Sequence, residues 1–299
     1  MEVEPVDLPE AGPDEILVDL RFGGINPIDR YIAEGSVAAD GPLPRTLGGE
    51  ASGTVAGRPV LVAGGGLGSS RDGVWAQRAL VPASAVLDLP AGVELREAAA
   101  MGVAGLTAYH SVDGLAELGP EDRVLVLGAS GGVGSMIVSL ARSRGATVWG
   151  QTGSEHKVTL IEQQGADRVL LAGPSELATE LSALEPTAVF DSLGDGFVAP
   201  VVEAAAPGAR IVSFGTSAAE EVQLNLRTLY RKGISLLGYG GRLLGQDERR
   251  AGLQAALGAL AAGDLRVLID EVLPLEQVNE GFTRLLHRRV QGKLLLALD

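Results

Sequence analysis

From about residue 121 the chain alternates short apolar runs with helical patterns, and this alternation constrains the fold more than any other feature. The runs are RVLVLG (123–128), ATVWGQ (146–151), DRVLL (167–171), TAVFDS (187–192), ARIVSFG (209–215) and ISLLGY (234–239). Continuous Val, Leu and Ile runs mark strands buried on both faces, and crossover helices between such strands demand a parallel sheet. The reading is an α/β fold built on a Rossmann doubly wound parallel sheet. Gly145 after SLARSR and Gly165 after LIEQQ stand where a left-handed residue closes a helix.

The first hundred residues read differently. EILVDLRF (15–22) alternates as a half-buried strand does, and short strands fall near 51–63 and 74–88 among Gly and Pro turns. After the helical DERRAGLQAALGALAAG (247–263), the stretch LRVLIDEVLPL, a helix and GKLLLAL (292–298) return to β structure. The tail is expected to rejoin the first part, so that residues 1–107 and 265–299 form one mostly β domain around a Rossmann domain of residues 108–264. A length of 299 residues suits two domains with separate cores. A ligand is expected in the cleft between them, at the carboxyl ends of the parallel strands.

The run GASGGVGS (128–135) joins the first of these strands to its helix. Ala129, Gly131 and Gly134 stand at the spacing of GxGxxG, with alanine in the first place. That spacing serves a tight turn, close approach of a pyrophosphate at Gly131 and close helix packing at Gly134. Ala129, Ser130, Gly131, Gly132 and Val133 are therefore read as a dinucleotide site; a bare structural turn is the alternative. In NAD sites the second strand usually ends in an acid that binds the ribose 2′-hydroxyl. Here it ends in Gln151 and Thr152, followed by GSEHK. Ser154 is expected at a helix N-cap and Lys157 in the first turn, where a cation opposes the helix dipole. A bound phosphate offsets that cost, so Gly153, Ser154 and Lys157 are read as a 2′-phosphate site and the cofactor as NADPH. Glu155 weighs against this, and a plain cap with a solvated lysine is the other reading.

Composition removes several chemistries. A net charge of −14 disfavours nucleic acid and anionic membrane as partners. No apolar run reaches the about 18 residues of a membrane helix, and the acidic N-terminus lacks the order of a signal peptide. A cytoplasmic protein is expected. There is no cysteine, which excludes disulfides, thiolate nucleophiles and thiolate-bound zinc. His110, His156 and His287 are the three histidines, and their separation gives no metal-ligand spacing.

Several segments together resemble the zinc-free quinone oxidoreductase (zeta-crystallin-like) branch of the medium-chain dehydrogenase/reductase superfamily. They are GGINPIDRYIAEG (23–35), LPRTLGGEASGTV (43–55), AAAMGVAGLTAYHSV (98–112), GASGGVGS, QTGSEHK, FDSLG (190–194), IVSFGTS (211–217) and RRVQGKLLL (288–296), in the family's order and over nearly the whole chain. The resemblance implies a GroES-like catalytic domain split by the Rossmann domain, and NADPH-dependent reduction of quinones or activated alkenes. Zinc-dependent cousins carry a metal-binding cysteine within the stretch that here reads Gly23-Gly24-Ile25-Asn26, and Gly-His-Glu where Gly48-Gly49-Glu50 stands here. By resemblance, Asn26 and Tyr31 line the cleft near the nicotinamide and are the catalytic candidates. Thr107 approaches the cofactor, Phe214, Gly215 and Thr216 border its nicotinamide end, and Arg288 reaches its phosphate side. In place of these roles, Asn26 before Pro27 would only shape a turn, Tyr31 would be core and Arg288 a surface charge. Two features depart from the family. The first domain looks trimmed around GTVAGRPVLV (53–62), and a family tyrosine near the adenosine phosphate is Ala172 here.

Hydride transfer to an activated acceptor needs positioning, exclusion of water and a donor for the developing oxyanion, and no metal. The Tyr31 hydroxyl, the Asn26 amide and ordered water are the candidate donors. Two alternatives stay open: an enoyl-thioester reductase, for which Arg45 and Arg242 are the candidate carrier-arm residues, and a non-catalytic NADPH-binding sensor or structural protein. The apolar edge strand ISLLGY would be a liability if left unpaired, and by resemblance it is expected to pair with its symmetry mate in a homodimer.

Overall fold

The computed structural model describes residues 1–37 and 40–299. They form two compact units, one of residues 1–106, 244–262 and 267–299 and a second of residues 107–243 and 263–266.

The first unit opens with β1 (Glu15–Ile25), α1 (Pro27–Ala33), β2 (Glu50–Val55), β3 (Arg58–Ala63), β4 (Arg78–Pro82), β5 (Val86–Asp88) and α2 (Leu95–Ala98). The alternation in EILVDLRF is that of a strand with one face inward: Val18 and Leu20 are buried while Asp19 and Arg21 face outward. Gly57 and Ala56, both left-handed at φ +82° and +50°, turn β2 back onto β3.

The second unit continues with α3 (Leu106–Tyr109), whose first residue still belongs to the first unit, β6 (Arg123–Val126), α4 (Gly132–Ser143), β7 (Thr147–Thr152), α5 (Val158–Gln164), β8 (Arg168–Leu171), α6 (Pro174–Leu181), β9 (Ala188–Asp191), α7 (Val198–Ala204), β10 (Arg210–Ser213), α8 (Leu226–Lys232) and β11 (Ser235–Gly238). The six strands form one parallel sheet in the order β11-β10-β9-β6-β7-β8, the doubly wound arrangement expected. Val124, Leu125, Val126, Val189, Phe190, Ile211 and Val212 are buried in it, which explains their uninterrupted apolar sequence. Gly145 and Gly165 take the left-handed conformation at φ +82° and +116°. Helical π turns, Met101–Gly105 and His110–Leu115, flank α3.

The chain then returns to the first unit with α9 (Gln246–Ala262), β12 (Ile269–Pro274), α10 (Val278–Leu286) and β13 (Lys293–Ala297). β13 pairs with both β1 and β12, completing a seven-stranded sheet in the order β12-β13-β1-β2-β3-β5 with β4 also on β1. The sequence reading assigns α9 to the Rossmann part, but the helix belongs by packing to the first unit. Gly252 faces the Leu106 side chain so closely that a Cβ there would lie 2.7 Å from it.

Candidate functional site

In the parallel sheet, the strand order changes direction between β6 and β9, and ligands of such sheets bind outside the carboxyl ends at this switch. The turn from β6 to α4 lies there. Gly128 is left-handed at φ +68°, the Gly131 N–H donates to the Gly128 carbonyl at 3.0 Å, and Gly131 N-caps α4. No side chain caps this end, so the first N–H groups of a twelve-residue helix remain at the turn with the positive end of its dipole. A Cβ at Gly134 would lie 2.4 Å from the Gly128 carbonyl oxygen, so only glycine lets α4 close onto the turn. These residues fit a pyrophosphate group.

Gln151 braces the turn from beneath. Its Oε1 accepts from the Gly128 N–H at 3.0 Å, its Nε2 donates to the Ala172 carbonyl at 2.7 Å, and its backbone carbonyl accepts from Ala129. Beyond it, the Thr152 hydroxyl oxygen accepts from the Ser154 N–H at 3.2 Å. Ser154 N-caps a short 3-10 turn, Glu155–Lys157, that precedes α5, and its hydroxyl makes no capping bond. The helix expected from about Ser154 thus begins as 3-10. Gly153 is exposed with open space at its Cβ position, while Lys157 is only 7 % exposed.

The loops after β9 and β10 close the same end. The Ser192 hydroxyl donates to the Leu127 carbonyl at 3.1 Å, the Ser217 hydroxyl donates to the Ser192 carbonyl at 2.9 Å, and the Phe214 N–H donates to the Asp191 carbonyl at 3.0 Å. Burial pushes the Asp191 carboxyl above its ordinary range, against the opposing effect of N–H bonds from Gly194 and Leu193.

The first unit holds a second polar centre, built where three neighbouring strands begin or end. Lys293 opens β13, Glu50 opens β2 and Asn26 follows β1, and the antiparallel pairing of β1 with both neighbours brings the three together. The Lys293 ammonium donates to Glu50 Oε1 at 2.9 Å, to Asn26 Oδ1 at 2.6 Å and to the Ile25 carbonyl at 3.2 Å. Asn26 Nδ2 donates to Glu50 Oε1 at 2.7 Å, and the Val103 N–H, from the first π turn, donates to Glu50 Oε2 at 2.8 Å. Gly24 and Gly102 make room for the carboxylate: a Cβ at either would lie within 3 Å of its oxygens. Beside it, Asp29 accepts from the Asn26 N–H at 2.8 Å and from the Gly49 N–H at 3.3 Å. Burial first, and the charge of Glu50 second among the raising influences, push the Asp29 carboxyl up to about 7. Among the described residues, no group of three or more His, Asp or Glu side chains is placed to hold a metal ion.

A family model for zinc-binding dehydrogenases matches residues 132–257. Bacillus subtilis YhfP, named for quinone oxidoreductase activity, is 30% identical over 98% of this chain and 92% of its own. The chain belongs to the quinone oxidoreductase branch of the medium-chain dehydrogenase/reductase superfamily. The B. subtilis YhfP crystal structure, which holds NAD, superimposes with a TM-score of 0.82 at 28% identity, over 96% of this chain and 92% of that one. An NAD-dependent alcohol dehydrogenase structure reaches a TM-score of 0.88 at 28% identity, over 100% and 96% of the two chains.

For a member of the quinone oxidoreductase branch, the candidate residues divide between the units. Ala129, Ser130, Gly131, Gly132 and Val133 form the turn at the strand switch, with Gly153, Ser154 and Lys157 after β7 and Phe214, Gly215 and Thr216 after β10. All are at carboxyl strand ends of one sheet. Thr107 is buried on α3 between the two π turns. In the first unit, Asn26 is buried, Tyr31 is half-buried on α1 with the Arg30 guanidinium 5.0 Å from its ring centre, and Arg288 is exposed and left-handed at φ +55°. Sequence reading missed Lys293, Asp29 and the pairing of Glu50. One signal was available: a lysine opens the apolar strand KLLLA, and a cation buried there requires a partner.

Proposed function

We propose that the protein is an NADPH-dependent oxidoreductase that reduces quinones or activated alkenes without zinc. The observation that carries this reading is the uncapped, glycine-lined N-terminus of α4 at the sheet's switch point, with no carboxylate at the end of β7. The N–H groups of the turn bind the pyrophosphate, and Ser154 and Lys157 take the 2′-phosphate. When bound, NADPH supplies a hydride, two electrons with one proton, to the acceptor. The chain orients that acceptor, and the Asn26 carboxamide donates a hydrogen bond to the oxygen that becomes negative. Solvent water provides the proton that completes reduction. An already activated acceptor fits a site whose catalytic candidates are Asn26 and Tyr31.

NADH is the second reading, favoured by the NAD held in the B. subtilis YhfP structure and by the exposed Glu155 beside Ser154. The test is oxidation of NADPH and of NADH with a panel of quinones, enones and enoyl thioesters. Preference for NADPH, lost in Lys157→Ala, supports the proposal; a preference for NADH unchanged by that substitution overturns the 2′-phosphate assignment. NADPH binding with no acceptor reduced would identify a sensor or structural protein instead.

A homodimer is part of the same reading. β11 is the edge of the parallel sheet, and Leu236 on it, with Leu226 and Tyr230 on α8, is exposed. Sedimentation at micromolar concentration gives a dimer if this face pairs with its copy, and a monomer otherwise. No helix among the described residues is long and apolar enough to cross a membrane.

A further inference from the structure

The carboxyl end of the parallel sheet carries a chain of hydrogen bonds to which the proposed function assigns no role. Its middle member is Ser192, the first residue after β9. The Asp191 carboxylate accepts from the Leu193 N–H at 2.8 Å and from the Gly194 N–H at 3.0 Å, and Gly194 is left-handed at φ +71°. An aspartate that takes backbone N–H groups two and three residues on folds its own loop back. Ser192 lies in that bend, and two glycines show how closely it is held: a Cβ at Gly128 would lie 2.6 Å from Ser192 Oγ, and one at Gly215 would lie 3.1 Å from the Ser192 carbonyl oxygen.

Ser192 is bonded in two directions. Its hydroxyl donates to the Leu127 carbonyl at 3.1 Å, one residue before the left-handed Gly128 of the dinucleotide turn. Its carbonyl accepts from the Ser217 N–H at 3.0 Å and from the Ser217 hydroxyl at 2.9 Å. The Leu193 carbonyl extends the pairing and accepts from the N–H groups of Ala218 at 2.8 Å and Ala219 at 3.3 Å. Backbone groups thus zip the loops after β9 and β10 together, and no side-chain substitution removes them. The bond from Ser192 to the turn, in contrast, depends on a hydroxyl. All of these residues belong to the second unit.

We infer that Ser192 is a positioning residue, a latch that ties the loop after β10 to the dinucleotide turn and so sets where the nicotinamide end of a bound cofactor lies relative to its pyrophosphate. The inference rests on the dinucleotide reading above, in which the turn takes the pyrophosphate and Phe214, Gly215 and Thr216 border the nicotinamide. A cofactor that spans both places needs them at one fixed separation. A fragment that ends short of the nicotinamide does not. Hydride transfer depends on close placement of donor and acceptor, so a loosened latch slows the chemistry as well as weakening binding.

The test compares Ser192→Ala with wild type by calorimetric titration with NADPH and with 2′-phospho-ADP-ribose, which is the same dinucleotide without its nicotinamide. NADH and ADP-ribose take their place if the protein prefers NADH. Thermal unfolding checks that the variant is folded. Loss of one hydrogen bond between neutral groups lowers affinity for the intact dinucleotide by about three- to tenfold, while affinity for the fragment stays within twofold of wild type. With a quinone, kcat falls by a similar factor. Ser217→Ala removes one of the two bonds on the Ser192 carbonyl at an exposed position and serves if Ser192→Ala does not fold; its expected loss is about two- to threefold for the intact dinucleotide and none for the fragment. Equal losses for dinucleotide and fragment show that the hydroxyl merely supports the turn, and they overturn the inference. Unchanged affinity for both overturns it as well. Wild-type protein that binds neither NADPH nor NADH overturns the inference together with the reading beneath it, whereas a wild type that binds one of them and a variant that binds it equally well overturn the inference alone.

Discussion

Asp29 makes folding stability depend on pH in a direction opposite to that of most carboxylates. Its side chain is buried, accepts from the backbone N–H groups of Asn26 and Gly49, and faces Glu50, with Lys293 and the Asn26 side chain lowering its pKa less than burial raises it. The carboxyl is pushed from 3.8 up to about 7. Between those values the folded protein holds a proton that the unfolded chain has released. Stability contributed by the protonated form is therefore full below 3.8 and is lost as pH rises through 7. A gap of about three units, at about 1.36 kcal/mol each, corresponds to about 4 kcal/mol. Asp29→Asn cannot titrate. At pH 4 the variant is less stable than wild type by about 1 kcal/mol, because its amide can accept from only one of the two N–H groups. At pH 8 it is more stable, by about 3 kcal/mol, once the wild-type carboxylate has ionised. Urea unfolding of both proteins from pH 4 to 8, followed by the fluorescence of Trp75 and Trp149, measures the difference. A difference that stays flat across this range shows that Asp29 ionises as an ordinary carboxylate and refutes the reasoning.

Three further outcomes are expected. Gly134→Ala places a methyl group 2.4 Å from the Gly128 carbonyl oxygen, which is backbone and cannot swing away; it lowers stability by about 1–3 kcal/mol and weakens NADPH binding, read by melting and by calorimetric titration. Lys293→Met alone leaves Glu50 buried without its cation and costs about 3–5 kcal/mol in urea unfolding, most of it restored when Glu50→Gln is added. Asn225→Ala removes the side-chain oxygen that caps α8 through the N–H groups of Arg227 at 3.1 Å and Thr228 at 3.4 Å; stability falls by about 1 kcal/mol while cofactor affinity is unchanged.

The parallel sheet was legible because its central strands are buried on both faces, so apolar runs such as RVLV and AVFD mark them without reference to distant residues. Gly145 and Gly165 were legible because a left-handed helix end is a local requirement. The placement of α9 was not, since a helix with apolar positions on one side reads the same whichever unit it covers. The charged centre was hidden for a related reason. Asn26 and Glu50 are 24 positions apart, Glu50 and Lys293 are 243 apart, and only strand register sets them side by side. At the cofactor turn, the glycine spacing announced where backbone comes close. It was silent about Gln151, whose role depends on a side chain pointing inward from the neighbouring strand.

That inward amide decides how cofactor preference in this chain can be altered. Placing an acid at position 151, where strand-end spacing would put a ribose partner, would set a carboxylate against the Ala172 carbonyl and remove the amide hydrogen it now receives. The substitution would undo the floor of the dinucleotide turn before it recruited any hydroxyl group. An acid meant to meet a ribose hydroxyl has to be placed one or two residues later, at Thr152 or at Gly153, where the Cβ position opens onto free space. Position 151 belongs to the foundation of the site and position 153 to its doorway, although the two stand only two positions apart.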